Sequence, residues 1–96
     1  MRSTLHPAPD MVHEITTPLS AAEVLDRAKA FFSSRVPHQA AYPEKEGPGY
    51  LLLRGQGGEE IALAVFAGEG GQRVRASTLL FDQSVGRFLA TLPGGR

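Results

Sequence analysis

Hydrophobic and polar positions change their spacing twice along this chain. Residues 10–17, DMVHEITT, alternate apolar and polar with β-branched residues among them, which predicts a first strand that Pro18 ends. From Ser20 the apolar positions Val24, Leu25, Ala28, Phe31 and Phe32 recur at helical spacing, with Glu23, Asp26, Arg27, Lys29 and Ser33 outside the stripe. Ser20 and Glu23 form an S-x-x-E capping box, in which the hydroxyl accepts from the Glu23 amide and the carboxylate reaches back to Ser20. Pro37 stops this helix soon after Arg35.

From residue 38 the period falls from about 3.6 to about 2. HQAAYPEKE predicts a weak edge strand, because Pro43 has no N–H to give a ladder. YLLLR, EEIALAVFA and QRVRASTLLF follow, divided by GPG, GQGG and GEGG, whose glycines supply the positive φ of tight hairpins. The last segment, DQSVGRFLATLPGG, offers Asp82 as N-cap and places Val85, Phe88, Leu89 and Leu92 on one helical stripe. Gly86 weakens that helix by about 1 kcal/mol relative to Ala. The predicted order is β-α-β-β-β-β-α: a single α+β domain over residues 10–96, an antiparallel sheet with its helices on one face, after an extended lead-in over 1–9.

If GQGG and GEGG are four-residue loops, Leu52 lies opposite Ile61 and Val65 opposite Val74. One face then carries Tyr50, Leu52, Ile61, Leu63, Val65, Val74, Ala76, Thr78 and Leu80, the expected seat of the helices. The other carries Leu51, Leu53, Ala62, Ala64, Phe66, Arg73, Arg75, Ser77 and Leu79. That second face is too apolar for open water and too cationic for a plain core. A contiguous apolar patch of this kind marks an interaction surface, and Leu51, Leu53, Ala62, Ala64, Phe66, Arg73, Arg75 and Leu79 are the candidate binding residues. Two occupants fit: a partner protein chain, as in a homodimer or another protein-interaction and assembly module, or a hydrophobic or amphipathic small molecule, with arginines suited to an anionic end. A third possibility is bland, since a one-residue slip exchanges the faces and the arginine stems can lie along Phe66 with their charges in water.

Composition narrows the field. The 96 residues carry ten Lys and Arg against ten Asp and Glu, with no long run of either sign, so neither a protein devoted to phosphate neutralisation nor a nucleic-acid partner is expected. With no cysteine, disulfides, thiolate catalysis and cysteine metal sites are excluded, and a reducing cytoplasm suits the chain. No secretory h-region and no membrane span are evident, and the abundant Ala, Gly, Arg and Pro match bacterial GC-rich coding.

Catalytic chemistry finds little support. His6, His13 and His38 have no metal-ligand spacing, and His13 and Glu14 are strand neighbours that point apart. GEGGQR lacks the Lys-Ser/Thr of a phosphate loop and reads as a hairpin turn. Glu59 and Glu60 diverge on a strand, with Arg54 placed to pair with Glu59 across the turn. Tyr42 and Tyr50 read as packing residues with wet hydroxyls. No enzyme, metal or cofactor is expected.

HEITTPLSAAEVLDRAKAFF, YPEKEGPGYLLLRG and QRVRASTLLFDQSVGRFLATL together resemble the START/Bet v1-like helix-grip superfamily, which includes polyketide cyclases. The resemblance implies a lipid- or ligand-binding relative with a capped helix, a glycine-punctuated meander and a C-terminal helix. The family is longer, with a long final helix closing a cavity against a curved sheet. A half-length version implies a cavity or buried interface made by pairing two subunits. The element order also looks like half of a TATA-binding-protein-like saddle.

Overall fold

The computed structural model describes residues 11–34, 40–78 and 82–94. The lead-in, Pro37, His6, His38, Leu79 and Leu80 lie outside them, as does the side chain of Asp82. The described residues form β1 (Met11–Thr17), α1 (Ala21–Ser33), β2 (Ala41–Gly47), β3 (Tyr50–Gly55), β4 (Glu60–Gly68), β5 (Gly71–Thr78) and α2 (Asp82–Ala90). The element order β-α-β-β-β-β-α and the antiparallel sheet are those the sequence pattern predicts; the strands lie in the order β1-β5-β4-β3-β2, with β4 at the centre.

Helix α1 begins where its capping box places it: the Glu23 amide donates to Ser20 Oγ at 3.2 Å, and the Ser20 amide donates to Glu23 Oε1 at 3.5 Å. Its buried stripe is Val24, Leu25, Ala28 and Phe32. Helix α2 and the turn after it bury Val85, Phe88, Leu89 and Leu92. Phe31 and Phe32 meet Phe88 with ring centroids 5.5 Å apart, so the two helices touch through aromatic rings and lie on the same side of the sheet. A single core joins them to Ile15, Leu51, Leu53, Ile61, Leu63, Val65, Val74 and Ala76. Buried Thr17 and Thr78 satisfy their hydroxyls on the carbonyls of Pro93, at 2.7 Å, and Glu60, at 3.1 Å. Among the described residues no helix is long and apolar enough to cross a membrane.

One strand sits one residue away from the expected register. GEGG behaves as expected, pairing Val65 with Val74 and closing with Gly68 opposite Gly71. GQGG does not. The Gly55 amide donates to the Glu59 carbonyl at 2.7 Å and the Gly58 amide to the Gly55 carbonyl at 3.1 Å, leaving three residues in the loop. Gly58 closes it at φ 93°, the left-handed position that such a loop requires. Losing one loop residue sets Leu52 opposite Ala62 and Leu53 opposite Ile61. Leu51 and Leu53 therefore belong to the helix-side core, at 1% and 0% exposure, and are not on the second face. Tyr50 and Leu52 replace them there, because neighbouring strand residues point to opposite faces.

Candidate functional site

No described helix covers the second face, so it can be read as successive rows across the strands. One row runs Lys45, Leu52, Ala62, Ser77, Val12; the next runs Gly47, Tyr50, Ala64, Arg75, Glu14; a third carries Phe66, Arg73 and Thr16. The four large apolar residues most open to solvent among those described, Val12, Tyr42, Tyr50 and Phe66, are 44–51% exposed. Register puts all four on this face, one from each of β1, β2, β3 and β4.

Ala62 and Ala64 are the lowest points of the central strand, and the larger side chains of β3 and β5 rise on either side of them. The result is an open groove of about 450 Å³, bordered by Lys45, Tyr50, Leu52, Ala62, Ala64, Arg75 and Ser77, with Leu51 and Leu63 completing its lining. Such a volume is in the range of small-molecule sites. The Tyr50 ring leans over Gly47, where an added Cβ would come within 2.9 Å of it, and so stands at the β2 edge instead of across the alanine floor.

The charges on this face divide into paired and unpaired sets. Arg73 lays its stem over Gly68, pairs with Glu14 at 3.1 Å and donates to Thr16 Oγ1 at 3.2 Å. Arg54 bridges Glu44 at 2.8 Å and Glu60 at 2.7 Å and also donates to the Gly58 carbonyl. Its guanidinium is held above the ordinary arginine range first by the Glu44 hydrogen bond and then by that to Glu60. The expected Arg54–Glu59 pair is thus corrected: with the shorter loop, Glu60 stands opposite Arg54, and Glu59 turns to the Gly57 amide at 3.0 Å. Lys45 and Arg75, the two cations that border the groove, have no ion pair among the described residues. Among the described residues no carboxylate lines it.

Lys45 arrives there through a bulge. Pro43 is opposite Leu53 and Lys45 opposite Leu52, so Glu44 is skipped. Without the extra residue, Glu44 would stand at the groove in place of an ammonium.

Of the expected binding residues, the structure brings Ala62, Ala64 and Arg75 to one groove. It places Phe66 and Arg73 on the same face beyond the groove's end, Leu51 and Leu53 with their side chains in the core, and leaves Leu79 outside the described residues. Lys45, Tyr50 and Leu52 were not among them. The only sequence sign for Lys45 is Pro43, a residue found on edge strands and at bulges. Among the described residues no three His, Cys, Asp or Glu side chains are grouped to hold a metal ion. The chain matches no protein family, no curated protein and no solved structure.

Proposed function

We propose that this chain is a non-enzymatic binding domain, acting in the cytoplasm, whose uncovered sheet face receives a hydrophobic or amphipathic small molecule. The observation that carries this reading is the alanine-floored groove of about 450 Å³, apolar along its floor and bordered by two cations that have no ion pair among the described residues. Burying an apolar body on Leu52, Ala62 and Ala64 contributes roughly 25 cal/mol per Å² removed from water, and an anionic end placed by Lys45 or Arg75 gains a charge-assisted hydrogen bond. The helix-grip resemblance is part of the proposal for the element plan, with one difference. In that plan the cavity lies between helix and sheet, a space that Phe32, Phe88, Leu53 and Ile61 fill here at 0–1% exposure. The ligand is therefore assigned to the opposite face.

A second reading is a homodimer through the same face. Val12, Tyr42, Tyr50 and Phe66 favour it, since aromatic residues are enriched in protein interfaces. Native mass spectrometry of protein purified from cells separates the two. A retained organic adduct that disappears in Ala64→Leu, with the fold kept, supports the ligand reading. A bare dimer mass that falls to the monomer in Leu52→Glu supports the other and sinks the first.

A further inference from the structure

Taking the open face to be a ligand site, we infer that its groove takes an anion charged at both ends, of the α,ω-dicarboxylate class, lying across the strands from Lys45 to Arg75. These cations border opposite walls, Lys45 on β2 and Arg75 on β5. Three inter-strand steps and a two-residue offset set their Cα atoms about 16 Å apart, from strand spacings of about 4.8 Å and a rise of about 3.3 Å per residue. An extended chain of about ten carbons matches that spacing once either flexible side chain turns toward the floor. Between them the floor is Leu52, Ala62 and Ala64, with no charged group to receive a polar middle.

Charge complementarity points the same way. Arg54 and Arg73, the other two cations on this face among the described residues, are each held by carboxylates, and Glu14, the carboxylate in the row of Arg75, is engaged by Arg73. The β2 bulge turns Lys45 instead of Glu44 to the groove, so both ends of the floor are cationic. A single anionic group can reach one of them. A ligand with two satisfies both, each through a charge-assisted hydrogen bond.

Calorimetric titration with sebacate, decanoate and decanediol tests this, since the three share one chain length and differ in the number of charged ends. Sebacate should bind at least about tenfold tighter than decanoate, a step of about 1.4 kcal/mol, and decanediol should bind most weakly. Lys45→Met and Arg75→Met should each reduce sebacate to the level of decanoate, while Arg87→Met, on α2, leaves it unchanged. Sebacate binding should also weaken more steeply with added salt. If decanoate binds as tightly as sebacate, the two-ended ligand is wrong and the open-face site stands. If none of the three binds to folded protein, both are overturned.

Discussion

Leu52 and Leu53 are chain neighbours with opposite roles. Leu53 is fully buried under the helices, whereas Leu52 is half-buried on the open face opposite Ala62. Leu53→Ala should therefore cost about 2–5 kcal/mol, the lost transfer energy plus a cavity, and Leu52→Ala less than about 1 kcal/mol, close to a surface change. Denaturant unfolding of both variants checks the assignment, and equal losses would contradict it. Their charged versions sharpen the contrast: Leu53→Glu buries an unpaired carboxylate and should not fold, while Leu52→Glu stays in water and should keep the parent's circular dichroism. The sequence offered little help at these positions. Three consecutive leucines, Leu51 to Leu53, suit either face equally, so alternation along β3 does not choose between them. By contrast Ile61, Leu63 and Val65 alternate with Glu60, Ala62 and Ala64, and their inward placement was legible.

At the scale of elements, the register of β3 is set by the loop that follows it. Gly58 has open space around the position of a Cβ, so Gly58→Ala tests its φ of 93° alone and should cost about 1–2 kcal/mol. An unchanged melting midpoint would mean that the loop is not closed by a left-handed residue. Ser20→Ala should cost about 1 kcal/mol by removing the α1 cap, and should leave binding at the sheet untouched, since the cap is remote from the groove. Between these elements, Lys29 of α1 reaches Glu46 of β2 at 2.8 Å, and that hydrogen bond is the main reason its ammonium is held above the ordinary lysine range. A raised folded pKa gives stability that is fully present below the unfolded pKa and is lost as pH rises through the folded one. The stability difference between parent and Lys29→Met should thus be constant near neutral pH and shrink in strong alkali. The start of α1 and the places of the turns were legible because caps and glycines act locally, whereas the length of the GQGG loop was not. The β2 bulge was not, because Glu44, Lys45 and Glu46 are all polar and nothing in their order says which one is skipped.

Over the whole molecule, the hydrophobic residues supply one core, and it lies on one side of the sheet. A chain of this length buries only about 60–65% of its unfolded surface, and both helices are used on a single face. The other face is left with apolar side chains and cations in water, an arrangement whose kind was legible in the alternation of β4 and β5 even though two of its assigned members belong to the core. The central claim is that this uncovered face, at Ala62 and Ala64, is where the molecule binds. Decanoate titrated into isotope-labelled protein, followed by amide chemical shifts, tests it most directly. The account predicts shifts concentrated at Leu52, Ala62, Ala64 and Ser77. Shifts gathered instead at Phe31, Phe88 and Thr91, around the depression on the helical side, would contradict it.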